Sequence, residues 1–249
     1  MINIVTIDPS INSTAVTING QVFAISSESI AYNKSTKFKK WYELTDEYAT
    51  IVTVDTSYQN QKTYSSLEVI KLETYQNIAN IVTSIVDKHT NPKYTTVVLI
   101  EGYSYSSQAG PLIDLVTLST LIRNSLSSRP DTDLVVIAPS SLKKLAGKLT
   151  YDKIVKGKKI EYRNHQGKAS GSFNKHDMYL TLIENDDIQT DWIKFLREHS
   201  EDIIKAKAIP KPIEDINDAI IMYHVAIMEL KEHLRNEEYK DYIEHLRNI

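Results

Sequence analysis

The sequence predicts an α/β fold: a mixed sheet of about five strands, three antiparallel and then parallel ones, flanked by helices. Three observations predict it. The chain opens on a β-branched run, Ile2, Ile4, Val5 and Ile7, followed by two alternating runs at 14–18 and 21–25 that meet at Asn19-Gly20, a pair suited to a tight antiparallel turn. Two later runs, 95–100 and 133–138, are largely apolar and β-branched, the mark of strands covered on both faces. Before and between them lie stretches whose apolar residues recur at helical spacing.

The balance of residues is that of an ordinary globular chain: 249 residues, 41% hydrophobic, 24% charged, net charge −3. No overall polycation announces a nucleic-acid partner, so such a claim rests on local patches. The chain has no cysteine, which excludes disulfides and thiolate metal sites. A metal would take oxygen or imidazole ligands. No apolar run approaches a membrane span and no basic-then-apolar leader opens the chain, so the expectation is a soluble cytoplasmic protein without a membrane partner. Glycine is scarce, at 7, and glycine-rich phosphate loops are not expected.

In order along the chain, the first strand stops at Asp8 because Pro9 cannot donate to a ladder. Residues 26–66 read as a solvated excursion, with Lys34, Lys37, Lys39 and Lys40 near Trp41 and Tyr42, and with 50–54 as a candidate strand. Residues 67–89 form a helix, with Tyr75, Ile78, Ala79, Val82, Ile85 and Val86 on its apolar face, ended by Asn91-Pro92. The strand 95–100 ends in Glu101-Gly102. A helix follows at 112–126, then the strand 133–138, then a helix capped by Ser140 or Ser141. Asn174 caps the next helix, to about residue 185, and 191–199 is a short amphipathic one. Pro210 and Pro212 break the chain. The last helical region starts near Glu214, with one interruption near Asn236.

Between Lys143 and Lys175 stand nine lysines and Arg163 against Asp152 and Glu161, a local excess of eight positive charges in a chain of net −3. A charge run is commonly a solvated face. Here the excess favours a polyanion-binding surface. Of the histidines, His176 reads as an exposed bystander at a helix start and His224 as part of the core.

The carboxylates carry the chemistry. A carboxylate ending a buried strand is costly unless it is paired, hydrogen-bonded or bound to metal. Asp8 and Glu101 both stand there, and functional groups of α/β sheets gather beyond the carboxyl ends of parallel strands. Asp215 and Asp218, three apart, share a face in the first turns of the last helix. Singly, Asp8 suits a turn and the helix pair suits the helix dipole. Together, four carboxylates repel and call for divalent cations. Oxygen-only ligation favours Mg²⁺ or Mn²⁺, and two ions roughly 3.5–4 Å apart suit in-line displacement at phosphorus.

Four motifs then bear a resemblance: Ile7-Asp8-Pro9-Ser10 with Ser13-Thr14; Val98-Leu99-Ile100-Glu101; Ile137-Ala138-Pro139-Ser140-Ser141-Leu142-Lys143; and Asp215-Ile216-Asn217-Asp218-Ala219. In order and placement the set resembles the RuvC-type Holliday junction resolvases of the RNase H-like nuclease superfamily. The resemblance implies one RNase H-like domain over 1–249, with insertions at about 26–66 and 148–174. It implies Asp8, Glu101, Asp215 and Asp218 as catalytic metal ligands, two Mg²⁺ or Mn²⁺ ions, and Lys175 and Lys143 near the scissile phosphate. It implies hydrolysis of branched DNA, four-way junctions in particular, by a homodimer. The expected DNA contacts are Lys143, Lys144, Lys153, Lys156, Lys158, Lys159, Arg163 and Lys168. Tyr103 and Tyr105 join them, bracketing Ser104 at the place of the family's aromatic wedge. Ser10 stands where the family often has glycine, and the long 26–66 segment is similar to the phage or viral branch. The competing readings are another RNase H-like nuclease, such as a terminase nuclease domain, and a non-catalytic DNA-binding protein on this fold. An actin-like ATPase ranks low, because Asp8-Pro9-Ser10-Ile11-Asn12 lacks the glycines that phosphate approach requires.

Overall fold

The structure, a computed structural model, describes residues 2–27, 38–56, 63–103, 109–150, 152–156, 159–234 and 239–247. Strands β1 (Ile2–Asp8), β2 (Ser13–Ile18) and β3 (Gln21–Ser27) form the expected antiparallel meander. Asn19 and Gly20 turn the hairpin with φ of 48° and 90°, the left-handed backbone that such a two-residue loop requires. The Asn19 side chain accepts from the Ile4 amide at 3.0 Å, tying the turn to the start of β1.

Helix α1 (Phe38–Thr45), strand β4 (Thr50–Val54), helix α2 (Tyr64–His89), strand β5 (Thr95–Glu101), helix α3 (Ala109–Ser127) and strand β6 (Thr132–Ile137) follow. The sheet has six strands in the order β4-β3-β2-β1-β5-β6. Strands β1, β5 and β6 are parallel to one another, and β4 is parallel to β3. This is the mixed sheet expected from the sequence, antiparallel strands first and parallel ones after, with the candidate strand at 50–54 realised as a sixth, at the edge. Helix α2 starts earlier than its apolar periodicity implied, because the Thr63 side chain caps it by accepting from the Ser66 amide.

Both faces of the sheet are covered. On one, Tyr75, Ile78, Val82 and Val86 of α2 and Leu118, Ile122 and Leu126 of α3 pack on Val5, Ile7, Val98 and Ile100. On the other lie α4 (Pro139–Lys148), α5 (Lys175–Ile183), α6 (Asp191–Glu198), α7 (Ser200–Lys205), α8 (Ile213–Leu234) and α9 (Tyr239–Arg247). Their core partners include Ile4, Ala15, Leu99 and Ile137. The result is three layers, helix on sheet on helix.

Several expectations are corrected. Trp41 and Tyr42, read as part of a solvated excursion, are buried, 6% and 4% exposed; α1 is amphipathic and turns them inward, while Lys39 and Lys40 pair outside with Glu43 and Asp202. Lys34 and Lys37 lie outside the described residues. The cap of α4 is Ala138 rather than Ser140 or Ser141; Pro139 at the first helical position has no amide needing a partner. Part of the basic, polar stretch, to which the sequence assigned no element, is a hairpin, β7 (Asp152–Lys156) with β8 (Lys159–Arg163). Tyr242, Ile243 and Leu246 of α9 close the chain's own core, and the Tyr242 hydroxyl donates to the Ala226 carbonyl at 3.1 Å. Asn174 caps α5 as expected, in a reciprocal capping box with Asp177. Among the described residues no helix is long and apolar enough to cross a membrane.

Candidate metal centre

The register of the parallel strands makes the site. Ile7 of β1 pairs with Ile100 of β5, so the next residues, Asp8 and Glu101, leave the sheet side by side at its carboxyl edge. Helix α8 crosses the same edge. The Thr6 hydroxyl donates to the Ala219 carbonyl at 2.6 Å, which seats the first turns of α8 over β1 and brings Asp218 to Asp8. Asp8, Glu101 and Asp218 each offer an oxygen, and these oxygens lie within 4.8 Å of one another. Asp8 and Asp218 are buried, and Glu101 is half-buried. Three separate elements therefore deliver three carboxylates to one point.

Electrostatics mark the point as strained in charge. Burial pushes the Asp8 carboxyl well above the ordinary carboxylate range, and the neighbouring Glu101, Asp218 and Asp215 push it further. Burial raises Asp218 to about 7, with Lys175 pulling it down and Glu101 pushing it up. Asp215 is raised by burial against the pull of Lys211. Each carboxylate is expensive to keep ionised where it stands.

Two lysines answer part of this charge. Lys175 opens α5 and pairs with Asp218, and with Glu214 at 3.6 Å. Lys211 pairs with Asp215, and with Glu214 at 3.5 Å. Burial by itself would lower both ammonium groups, but Asp218 and Asp8 raise Lys175 and Asp215 and Glu214 raise Lys211, so both stay charged. Lys211 is the functional residue that sequence reasoning missed. Its signal was the spacing Lys211 to Asp215, one helical turn, hidden by reading Pro210 and Pro212 only as breakers. Asp215 itself, expected as a fourth ligand, stands beside the group of three rather than in it. Its Oδ2 is buried with no hydrogen-bond partner among the described residues.

The donor set fits a hard divalent cation. All the grouped atoms are carboxylate oxygens, hard ligands suited to such an ion, and a cation held there would relieve the mutual repulsion that burial enforces.

No family model matches the sequence, and no curated protein matches it. Among solved structures the chain is similar to T. thermophilus RuvC in complex with a Holliday junction substrate, at a TM-score of 0.44 and 9% identity over 92% of this chain and 96% of that one. It is similar to T. thermophilus RuvC, at a TM-score of 0.45 and 11% identity over 91% and 95%. It is also similar to the yeast mitochondrial Holliday junction resolvase, at a TM-score of 0.47 and 11% identity over 98% and 81%.

The expected DNA-contacting residues are placed unequally. On α4, Lys143 is half-buried and Lys144 exposed. Arg163 is committed to Glu161 and donates to the Gly167 carbonyl at 3.0 Å. Lys168 pairs with Asp177, the residue of the α5 capping box. The backbones of Lys153, Lys156 and Lys159 run in the β7–β8 hairpin, and their side chains lie outside the description. Lys158 and Tyr105 lie outside the described residues. Tyr103 is half-buried, with the Arg123 guanidinium 5.3 Å from its ring centroid. His176 is tied to the Ala206 carbonyl, 3.1 Å from Nε2. His224 is largely buried, as expected, and burial lowers it to about 4.

Proposed function

We propose that this chain is a metal-dependent endonuclease that hydrolyses phosphodiester bonds in branched DNA, four-way junctions above all. One observation carries the reading: the buried carboxylates Asp8 and Asp218 and the half-buried Glu101, brought within 4.8 Å from β1, β5 and α8. These three would hold Mg²⁺ or Mn²⁺, and Asp215, with one oxygen that has no hydrogen-bond partner among the described residues, would complete the set for a second ion. An ion held there would supply polarisation of a phosphoryl oxygen and a lowered pKa for water. The residues around it do the rest. Lys175, held between Asp218 and Glu214, presents a fixed positive charge at the rim for a phosphate oxygen. Lys143 and Lys144 on α4 and the lysines of the β7–β8 hairpin extend that charge along a backbone, which positions DNA without reading its sequence.

A four-way junction has two-fold symmetry and is resolved by cuts on two strands. One site per chain therefore goes with a C₂ dimer. The exposed apolar side chains of Val69 and Leu72 on α2 and of Ile113 on α3 supply surface for it. Ser10 in place of the family's glycine, Tyr103 and Tyr105 around Ser104, and the long 26–66 segment together support a place in the phage or viral branch.

The test is cleavage of four-way junction, flap and linear duplex side by side with Mg²⁺ or Mn²⁺, with sedimentation of the free and junction-bound protein. Paired nicks in the junction by a dimer are expected. Equal nicking of linear duplex by a monomer leaves a general nuclease, and no cleavage of any substrate leaves a DNA-binding protein.

A further inference from the structure

The edge of the sheet opposite Asp8 and Glu101 carries a second cleft, of about 680 Å³. The β2–β3 turn, the link from α1 to β4, the end of α2 at His89, the start of α6 and the middle of α8 enclose it. Its volume is that of a small-molecule site. Its charge is one-sided. Asp46, Glu47 and Asp191 line it with no lysine or arginine, and among the described residues no cation pairs with any of the three. Tyr48 and Tyr223, both half-buried, stand among its walls.

A second, independent observation points to a ligand. Thr17, on β2, also lines the cleft, is 1% exposed, and its hydroxyl has no hydrogen-bond partner among the described residues. A buried hydroxyl left unpaired is costly. A donor arriving in the cleft would satisfy it.

The geometry decides between kinds of cation. Among the described residues the one group of three or more acidic or histidine side chains close enough to share an ion is Asp8, Glu101 and Asp218. The carboxylates of the second cleft are too dispersed to chelate a metal. Dispersed carboxylates with aromatic walls match an extended organic cation, since ring faces attract ammonium groups. We propose that this cleft binds a linear polyamine. Its ammonium groups meet Asp46, Glu47 and Asp191, its alkyl chain lies along Tyr48 and Tyr223, and one N–H reaches the Thr17 hydroxyl. The inference stands independently of the nuclease reading.

The test is calorimetric titration of the full chain with spermidine, in the presence of EDTA and again in excess Mg²⁺. One saturable site is expected, unchanged by Mg²⁺ and unchanged in Asp8→Asn. Asp46→Asn with Glu47→Gln should weaken binding by about tenfold or more, the loss of charge-assisted hydrogen bonds. Thr17→Val, which keeps the shape and removes the unpaired hydroxyl, should melt no lower than the wild type and still weaken binding. Absence of saturable binding overturns the proposal. So does equal affinity in the cleft variants, or loss of binding in Asp8→Asn, which would place the polyamine on the other carboxylates.

Discussion

Lys211 reaches four residues along the chain to pair with Asp215, and the second oxygen of that carboxylate, Oδ2, stays buried without a hydrogen-bond partner among the described residues. The lysine thus neutralises a buried acid that the fold places beside three others. Lys211→Met removes the charge but keeps most of the side-chain volume. Breaking a buried pair by deleting one partner costs about 3 kcal/mol or more. The expected outcome is a loss of that size in denaturant melts at neutral pH in EDTA, partly restored by Mn²⁺. An unchanged melt would mean Asp215 is already protonated in the folded chain.

Asp8→Asn should do the opposite to the metal-free protein. The folded-state values of Asp8 and Asp218 are raised, Asp218 from 3.8 to about 7. A raised carboxyl contributes stability that is present below its unfolded value and lost as pH rises through its folded value. Without metal, the wild type therefore loses stability from about pH 4 to 7. Asp8→Asn relieves the repulsion, so it should melt higher than wild type at pH 7 in EDTA. It should also lose the stabilisation by divalent ions and lose cleavage. A lower melt in EDTA with an intact ion response would show that the carboxylates do not form the ion site.

His224 gives a pH signature away from the carboxylates. Burial lowers it from 6.5 to about 4 in the folded chain. Between these values the unfolded chain binds the proton and the folded chain does not, so stability is full above 6.5 and falls as pH drops toward 4. His224→Gln should flatten this acid limb relative to wild type, by on the order of 3 kcal/mol at its foot. Parallel pH–stability curves for the two proteins would refute the assignment.

Gly147 of α4 packs against the 3₁₀ turn at Ser170–Ser172, and a Cβ there would overlap Ser170 Cβ. Gly147→Ala should cost about 1–3 kcal/mol, the usual effect of overpacking. Adding Ser170→Gly should recover much of the loss, a coupling that a double-mutant cycle measures. Additive effects would mean that the turn moves aside freely.

Salt dependence tests the basic stretch. Each phosphate neutralised on duplex DNA contributes a log–log slope of about −0.9. Neutralising Lys156, Lys158 and Lys159 together should flatten the measured slope by roughly three such units. An unchanged slope would assign the stretch to solvent.

What was legible in the chain follows a pattern. The strand ending at Asp8 and the strand ending at Glu101 were readable because burial on both faces requires unbroken apolar runs, and a carboxylate that stops such a run stands out. The Asn19-Gly20 turn and the Asn174 cap were readable because their backbone geometry selects residue types locally. Trp41 and Tyr42 were not, since nothing in a lysine-rich neighbourhood tells which face of a short helix meets a core. Lys211 was not, because its partner is chosen by how α8 begins after Pro212 rather than by any run of residues.

By itself, then, the sequence determined the antiparallel opening, the order of the long buried strands and helices, and the placing of Asp8, Glu101, Asp215 and Asp218 at the ends of elements, since each depends on short-range periodicity and turn chemistry. Only the tertiary structure decided how those acids divide. The pairing of Ile7 with Ile100 and the bond from Thr6 to Ala219 bring Asp8, Glu101 and Asp218 together. Lys175 and Lys211 are set against Asp218 and Asp215, and Arg163 and Lys168 are spent on Glu161 and Asp177. Burial is what decides, because charge raises or lowers a neighbour only at distances that packing sets. The same packing left the Thr17 hydroxyl without a partner among the described residues, beside a second cleft, which no local pattern of residues could have announced.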